Sequence, residues 1–542
     1  MASGTEGPGR WVLAVDLGTG GPKVAVVDLG GAILATAVRA VHLTVSLDGE
    51  ASQDADEWWT SLLEGAREAI AAAEVDPGSL HAVAITGQYG STVPVGADGS
   101  VVGPALLWAD SRARDLVRPV IGGPVNVGGY APHKVLPFIR VTGGAPSPNG
   151  ADPTGHALLL REWMTDVYDR AVTLLEPVDF IGFRFSGRVA ATPASMLASW
   201  LTDNRIGAPL GYSPDMVARA RRDIAKLPEL VPTGTVLGPL LGEVAGQLGV
   251  APGAPVVAGV PDLHAAVVGS GAVAPYETHM SISTTAWIGA RVPFKKTDIL
   301  HSIATVPGLD AAYPLIVNNH ETGGAALQWL REQVIAPHDG LLGGGSGIGE
   351  KGLAPENLAP SFDDLTALAA TAPAGSEGLI FTPWLSGERS PVDDKDLRGA
   401  WLNVSLRTDR AALVRSVLEG VAYNARWLFD PYRKFLGRPV SSVRILGGGA
   451  QSDLWCQVHA DILGVPVEQV EDPRDAQLRG VALWARVCLG ELRLEEAGAM
   501  VSVRRRFEPT PAHAAAYERG YAEFRRLYGS LKGHYRRLNG RT

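Results

Sequence analysis

Cysteine is scarce in this sequence, whose 542 residues include only Cys456 and Cys488. Both lie in apolar segments with helical spacing, so we expect buried free thiols in a reducing compartment rather than disulfides or a metal site. Charged residues are also few, at 19%, and the formal net charge is −9. A mildly acidic chain lacks the basic surface that nucleic acids attract, so no nucleic-acid partner is expected.

The sequence has no long apolar run either. The uncharged stretch 245–261 is interrupted by glycine and proline and is too short to cross a bilayer. The start of the chain lacks the apolar centre of a signal peptide, and we expect residues 1–10 to form a flexible tail. These absences predict a cytoplasmic protein without a membrane partner. Hydrophobic residues still make up 46% of the chain, which is enough to fill large cores.

Glycine and proline are plentiful, at 65 and 38 residues, and they divide the apolar segments into short units. The first units read as strand, glycine turn and strand, followed by a third strand, a helix behind the N-cap candidate Asp54, and a further strand. The predicted strands are 11–15, 24–27, 32–37 and 81–86, and the predicted helix is 56–73. This alternation predicts a mixed sheet covered by helices.

A similar order of elements begins again past the middle of the chain. It consists of a second strand–turn–strand unit, then a strand, a glycine turn and a helix. These segments are 279–290, 442–446, 447–450 and 453–463. We therefore predict two large α/β domains, residues 11–265 and residues 266–542.

Two segments stand outside this pattern. The glycine-rich segment Gly340–Gly349 has no apolar strand before it, which favours a surface loop over a phosphate cradle. Near the C-terminus, aromatic residues 517, 521, 524 and 528 recur at helical spacing and predict an amphipathic helix over 512–538. We expect its aromatic stripe to pack on the body of the protein and its arginines to form a solvated face rather than a polyanion site.

The turn DLGTGGPK, from Asp16 to Lys23, carries groups that suit phosphate chemistry. Free backbone N–H groups in a glycine turn bind phosphate oxygens, while Thr19 adds a hydroxyl and Lys23 a positive charge. Asp16 could hold Mg²⁺ through water, because Mg²⁺ keeps several waters and takes only one or two carboxylates. The alternative is an ordinary hairpin whose aspartate stabilises the turn.

Asp262 is the single carboxylate in a run made otherwise of Ala, Val and Gly. A buried carboxylate without a partner is unfavourable, so an aspartate in such a run usually has a task. One task is to accept the proton of an alcohol during phosphoryl transfer. The other interpretation is a helix N-cap.

Two later turns are weaker candidates. The segment SISTTA at 281–286 is a hydroxyl-rich turn that suits phosphates, although Ser and Thr are also common in plain turns. The glycines at 447–449 follow a strand and would let a ligand approach the backbone, or would simply make a tight turn into a helix. The sequence contains neither a GxxxxGK[ST] P-loop nor a GxSxG nucleophile elbow.

Taken in order, these elements resemble the FGGY family of carbohydrate kinases, from about Trp11 to Tyr528. The matching motifs are DLGTGGPK at 16–23, GQYGSTVPVGADGSVVGPALLWADSR at 87–112, PDLHAAVVGSGAV at 261–273, SISTTAW at 281–287, ETGGAALQWL at 321–330, FTPWLSGERSP at 381–391, RGAWLNVSLRTDRAALVRSVLEGVAYN at 398–424 and ILGGGAQSDLWCQVHADILGVPV at 445–467. The C-terminal signature at 381–424 and the adenosine-type segment at 445–467 are specific in combination.

The resemblance implies two α/β domains of the sugar-kinase/actin/Hsp70 ATPase type, which is ribonuclease H-like, with a cleft between them. It implies an ATP-dependent kinase that uses Mg²⁺ and phosphorylates a hydroxyl of a small sugar or polyol. In that scheme Asp262 accepts the hydroxyl proton and Asp16 supports the metal. The residues implied for ATP are Thr19, Lys23, Thr284, Gly323, Gly448, Gly449 and Ser452, and those implied for the sugar are Gln88, Tyr89, Asp110 and His264.

Within this family the sequence is most similar to the xylulose-kinase branch, with several departures. Tyr89-Gly90 stands where that branch usually has Met-His, Leu263 where it has Asn or Gln, and Ser283 where it has Gly. We therefore expect a substrate other than simply D-xylulose. A non-catalytic sugar- or nucleotide-binding protein on the same fold is the alternative. The sequence leaves the oligomeric state open, a homodimer being one option.

Overall fold

The computed structural model describes residues 9–336 and 360–540. Residues 1–8 of the predicted tail and the whole of the predicted loop Gly340–Gly349 lie outside the described residues. Within the two described ranges, every helix is too short or too polar to cross a membrane.

Strands and helices alternate along the described residues. The strands are β1 Trp11–Gly18, β2 Gly21–Asp28, β3 Ile33–Val38, β4 Thr44–Val45, β5 Ala51–Gln53, β6 Leu80–Gly87, β7 Val93–Val95, β8 Ala105–Leu106, β9 Thr173–Leu175, β10 Ala190–Ala191, β11 Glu229–Leu230, β12 Val236–Pro239, β13 Pro255–Val257, β14 Val260–Pro261, β15 Thr278–Ile282, β16 Ala286–Gly289, β17 Thr297–Asp298, β18 Ile303–Val306, β19 Leu315–Val317, β20 Ile380–Thr382, β21 Ala400–Leu402, β22 Val443–Leu446, β23 Val467–Val470 and β24 Val503–Phe507. The helices are α1 Ala55–Ala72, α2 Arg114–Ile121, α3 Pro132–Thr142, α4 Pro153–Trp163, α5 Thr165–Arg170, α6 Pro177–Ser186, α7 Pro214–Arg219, α8 Gly242–Leu248, α9 Asp262–Gly269, α10 Ala325–Leu330, α11 Phe362–Ala370, α12 Arg410–Leu436, α13 Asp453–Leu463, α14 Ala476–Cys488, α15 Leu494–Ala499 and α16 Ala514–Asn539.

A seven-stranded sheet organises the N-terminal half, in the order β12–β13–β6–β1–β2–β3, with β14 also paired to β6. Strands β1 and β2 form an antiparallel hairpin across the glycine turn, and β6 runs parallel to both β1 and β14. The side chain of Asp54 caps α1 by accepting the amide of Asp56. The strands and the helix predicted for this part of the chain are therefore confirmed, with small shifts at their ends.

A five-stranded sheet organises the C-terminal half, in the order β16–β15–β22–β23–β24. Its hairpin β15–β16 lies beside the parallel strands β22 and β23. The predicted second hairpin, strand and helix are confirmed, and α13 has the bounds that the sequence predicts. Both sheets thus place an antiparallel hairpin next to parallel strands, which is the repeated order read from the sequence.

Apolar side chains cover both faces of the N-terminal sheet, which explains its near-continuous apolar strands. Along β1, Leu13 and Val15 belong to the core formed with α1, whereas Val12 and Ala14 belong to the core formed with α9 and α14. The alternation follows from the two-residue period of a strand.

Helices α9 and α14 join the two halves. Although α14 comes late in the sequence, it packs on α9 and on strands β1 and β6. The helices approach so closely that a Cβ on Gly480 would lie 2.0 Å from the carbonyl oxygen of Ala265, and one on Gly269 would lie 1.8 Å from that of Ala476. Because α9 runs through the predicted boundary between residues 265 and 266, the division into 11–265 and 266–542 remains a prediction.

Two smaller predictions concern the C-terminal helix and the thiols. The aromatic stripe lies on α16, where Tyr517, Tyr521 and Phe524 are buried and contact the ring of Tyr423 on α12. Both cysteines are free. Cys456 is buried as predicted, whereas the other thiol, at the end of α14, is only half-buried, which corrects the expectation for that residue.

Replacing Gly480 with alanine is expected to destabilise the protein by about 1–3 kcal/mol, because the added Cβ meets the backbone of α9 rather than a flexible side chain. The midpoint of thermal unfolding measures this effect. Gly529→Ala is a matched control in helix α16, where no atom lies within 4 Å of the Cβ position. That control is expected to stabilise the protein by about 0.5–1 kcal/mol, so equal unfolding temperatures for the two variants would contradict the close helix contact.

Candidate active site

The carboxyl ends of three neighbouring strands bring two aspartates together. Asp16 on β1 and Val260 on β14 both pair with Thr86 on β6, so these strands end at one edge of the sheet. Asp262 follows β14 directly as the first residue of α9. The two carboxylates therefore lie at the same edge of the sheet, and the charge of Asp16 contributes to raising the pKa of Asp262. Such an edge is the usual ligand site of an open α/β sheet.

Asp262 is half-buried, and its Oδ1 accepts a hydrogen bond of 2.7 Å from the backbone amide of Leu263. Burial and then the charge of Asp16 raise the pKa of Asp262 to about 7, while the Leu263 amide opposes the shift. A carboxylate with this pKa can take up a proton near neutral pH, as a general base must. The alternative interpretation as an N-cap is wrong, because Pro261 occupies that position.

Asp16 lies opposite Lys23 in the first hairpin. Burial raises the pKa of Asp16, Lys23 lowers it and Asp475 raises it. The ammonium group of Lys23 pairs with the carboxylate of Asp475 and donates to the carbonyl oxygen of Arg474 at 3.1 Å. Protein oxygens therefore surround the charge that the sequence assigns to phosphate binding.

The loop of residues 473–475 contacts both the first turn and the glycine turn after β22. It contains Asp475 and Arg474, which hold Lys23 of the first turn, and Pro473, whose carbonyl oxygen accepts the amide of Gly447 at 2.7 Å. The first turn, which carries Asp16, and the glycine turn after β22 are consequently both held by this loop.

The acidic groups at this edge fit a magnesium–nucleotide complex better than a metal cage. Across residues 9–336 and 360–540, no group of three or more His, Cys, Asp or Glu side chains could hold a metal ion. Mg²⁺ usually binds through one or two carboxylates, several waters and substrate phosphates. Asp16 supplies one such carboxylate at this edge.

The hydroxyl-rich turn between β15 and β16 exposes Thr284 at its tip. Gly323 lies beneath it, donating its amide to the carbonyl oxygen of Thr284 at 2.9 Å, and a Cβ there would lie 2.5 Å from the carbonyl oxygen of Thr285. Gly323 is therefore required by the packing of this turn. Thr284 is the residue of this turn whose side chain is exposed, whereas Ser283 and Thr285 are half-buried.

The three glycines after β22 differ in their surroundings. A Cβ on Gly447 would lie 2.6 Å from the carbonyl oxygen of Ile282, and one on Gly449 would lie 2.5 Å from the side chain of the same residue. Gly448, by contrast, is exposed and has no atom within 4 Å of its Cβ position. The hydroxyl of Ser452, predicted to lie near adenine, caps α13 by accepting the amide of Trp455 at 3.2 Å.

The side chains of Trp108, Thr19 and Gln88 form a chain of hydrogen bonds. Trp108 Nε1 donates to Thr19 Oγ1 at 3.0 Å, and Thr19 Oγ1 donates to Gln88 Oε1 at 3.3 Å. The Nε2 of Gln88 is buried and has no partner among the described residues. The hydroxyl of Thr19 thus contacts the predicted sugar residue Gln88, and its assignment to phosphate remains a prediction. Gln88 is left with N–H groups to donate.

Two residues predicted to contact the sugar have other partners. Asp110 is fully buried, and its oxygens accept hydrogen bonds from the guanidinium and amide of Arg112 and from the amide of Ala51. His264 is also fully buried, with Nε2 bonded to the carbonyl oxygen of Pro307 at 2.8 Å, and burial lowers its pKa to about 4. Both side chains therefore have partners within the protein, and their roles in sugar binding remain predictions.

Tyr89 is half-buried in the turn after β6. Burial and the charge of Asp262 raise the pKa of its phenol, and Arg389 acts in the opposite direction. Arg389 belongs to the C-terminal half, where its Nε donates to Glu321 at 2.9 Å. The sequence motif at 381–391 contains this arginine, but motif matching alone did not identify it as a neighbour of Tyr89.

The comparisons with known proteins bear on the whole chain. The N-terminal domain of the FGGY family of carbohydrate kinases matches residues 11–122, and the C-terminal domain of that family matches residues 302–489. The chain belongs to the FGGY family of carbohydrate kinases. It is therefore an ATP-dependent sugar kinase, and a non-catalytic binding protein on the same fold is not favoured.

Full-length relatives agree with this assignment. The chain is 24% identical over 534 residues to a xylulose kinase of Staphylococcus epidermidis, covering 96% of this kinase and 97% of the relative. It is 28% identical over 515 residues to a glycerol kinase of Citrifermentans bemidjiense, covering 92% and 94%. The solved gluconate kinase of Lactobacillus acidophilus superposes with a TM-score of 0.81 at 21% identity, covering 98% and 99%. The predicted fold class is confirmed.

The raised pKa of Asp262 predicts the pH dependence of this kinase. A base must be deprotonated to act, so kcat/KM for the sugar should fall about tenfold per pH unit below the pKa of the free enzyme, which is about 7. Rates measured between about pH 5.5 and 8.5 test this, with KM for ATP followed in parallel. A kcat/KM that stays flat down to about pH 5.5 would contradict the assignment of Asp262 as the base.

Proposed function

We propose that this kinase transfers the γ-phosphate of ATP to a hydroxyl of a small ketose or polyol, with Asp262 as the acceptor of the hydroxyl proton. The observation that carries the proposal is the position of Asp262. It directly follows Val260 and Pro261, which pair with Thr86 and Gly87 of β6, so Asp262 begins α9 at the same edge of the sheet as Gln88 and Asp16. An alcohol beside Gln88 would then have its oxygen near both the base and the phosphate.

Phosphoryl transfer needs positioning and neutralisation of charge more than it needs covalent help from the protein. In this proposal Asp16 holds Mg²⁺ through water, and the ion, when bound, neutralises the charge of the phosphates. The backbone amides of the first turn and the hydroxyl of Thr284 bind the outer phosphates. Lys23 contributes its charge from its place beside Asp16.

The nucleotide is proposed to lie against the C-terminal half, over the open Gly448. A glycine whose Cβ position is empty on the protein side leaves room for a ligand to approach the backbone. Gly323 and Gly449 support this surface from below, since both are packed against the β15–β16 turn. Ser452 supports it by fixing the start of α13.

The substrate is proposed to differ from D-xylulose alone. Tyr89-Gly90 replaces a pair that would supply an imidazole donor, and Tyr89 offers instead a phenol and an aromatic face. Leu263 supports this less than the sequence suggests, because its side chain is buried in the core. The named relatives include xylulose, glycerol and gluconate kinases, so related sequences act on different alcohols.

The free thiols suit the reducing cytoplasm, where we place the protein.

A coupled ADP-release assay over D-xylulose, D-ribulose, L-ribulose, xylitol, arabinitol and glycerol tests the function. We expect turnover of at least one of them, with D-xylulose leading the others by less than about a hundredfold, because the changed polar groups alter which hydroxyl pattern is accepted. The control is Asp262→Asn, which should lose about 10²–10⁴ in kcat, the usual contribution of a positioned base. Near-normal turnover in that control would refute the role of Asp262.

Gly448→Val tests the position of the nucleotide. No protein atom lies within 4 Å of the Cβ position of Gly448, so the variant should fold normally. The KM for ATP should rise about tenfold or more, while the KM for the sugar should stay unchanged. The control Gly238→Val adds the same side chain at another open position, on strand β12. A rise in the sugar KM instead would show that the two ligands occupy the opposite sides.

A further inference from the structure

Glu176, the residue before α6, lies beneath the turn that carries Tyr89. Its side chain is only 2% exposed, and its Oε2 accepts hydrogen bonds from the backbone amides of Gly90 at 2.9 Å and Ser91 at 3.2 Å. Its other oxygen, Oε1, is buried without a hydrogen-bond partner in the described part of the chain. The hydrogen bonds of this carboxylate are thus directed at the turn.

Two successive amides that donate to one oxygen fix the direction of the peptides between them. Gly90 has a φ of +77°, in the region that favours glycine, so the chain bends sharply just after Tyr89. The hydroxyl of Ser91 then accepts the amide of Trp108 at 3.0 Å, which connects the turn to the cluster of Trp108, Thr19 and Gln88. Movement of Glu176 would therefore displace Tyr89 and loosen this cluster.

The position of Glu176 is unfavourable for a carboxylate. Burial and the charge of Asp179 raise the pKa of Glu176, while the two amides act against the shift. A buried ionisable group costs stability unless its hydrogen bonds compensate, and an apolar side chain could fill the same space at lower cost. In return, the buried carboxylate of Glu176 fixes the turn through its hydrogen bonds with the amides of Gly90 and Ser91.

We infer that Glu176 is a positioning residue for the sugar site, which holds the turn 88–91 so that Gln88 and Tyr89 face the substrate. The inference rests on the proposed function, because that function assigns this turn to the sugar. It adds a residue that contacts no substrate and that acts through two backbone amides.

Glu176→Met tests the inference, because it keeps the length of the side chain and removes the acceptor. With the alcohol that the wild type turns over fastest as the probe, its KM should rise about 10- to 100-fold, since a displacement of about 1 Å can cost about a hundredfold. The KM for ATP should stay the same. Glu176→Gln retains an oxygen that can accept both amides and should largely restore the sugar KM.

Asp179→Asn is the matched control. Asp179 is equally buried and lies on α6, the helix that Glu176 precedes, and its carboxylate bonds to Ser195 rather than to the turn 88–91, so the sugar KM should not change. If Glu176→Met does not fold, Glu176→Asp withdraws the acceptor by one carbon and should raise the sugar KM in the same direction.

The double variant with Tyr89→Phe separates positioning from a general structural role. If Glu176 acts through the turn, the combined loss in kcat/KM for the sugar should be smaller than the product of the two single losses. Independent losses, or equal rises in KM for the sugar and for ATP, would overturn the inference. A wild type that phosphorylates no alcohol would refute the proposed function and this inference together, whereas a normal sugar KM in an active Glu176→Met enzyme would overturn the inference alone.

Discussion

The repulsion between Asp16 and Asp262, held together at the buried ends of parallel strands, is the constraint around which the site is arranged. Two half-buried carboxylates that act on each other are not both ionised without cost, so the groups around them determine the pKa of each. Lys23 lowers the pKa of Asp16 but is outweighed by burial, whereas burial and the charge of Asp16 act together to raise the pKa of Asp262. Asp262 is thereby suited to exchange a proton near neutral pH.

That arrangement depends on the place of α9, whose first residue is Asp262. The register of β14 with β6 fixes the start of the helix, and contact with α14 fixes its axis. Only glycine at 269 and 480 lets the two backbones approach to this distance. Gly269 and Gly480 therefore help to hold the proposed base in place, and a substitution at this helix contact would shift the position of Asp262.

The elements of the fold could be predicted from the sequence because they depend on local patterns. Apolar runs separated by glycine indicated both hairpins, and helical spacing indicated α1, α13 and α16. The partners of polar side chains could not be predicted in this way. Asp110 binds Arg112 and His264 binds Pro307 because of packing between distant segments, and no local pattern records such contacts.

The glycines show the same limit more sharply. Gly448 and Gly449 are adjacent, and both belong to a motif that suits a nucleotide. In the structure Gly448 has open space where a Cβ would be, whereas Gly449 lies against Ile282. A sequence motif reports that small residues are needed in a turn, whereas the three-dimensional contacts decide whether the space belongs to a ligand or to the protein.

Contacts between the two halves use backbone carbonyl groups as acceptors for basic side chains. Lys23 donates to Arg474, Arg479 donates to Gly31 at 3.2 Å, and Lys295 donates to Ile139 at 2.8 Å near the C-terminal end of α3. Such bonds add to the apolar packing of α14 on α9, β1 and β6 in holding the relative orientation of the two halves. The Lys23 contact is special among them, because the same loop also holds the turn of Gly447 beside the proposed nucleotide surface.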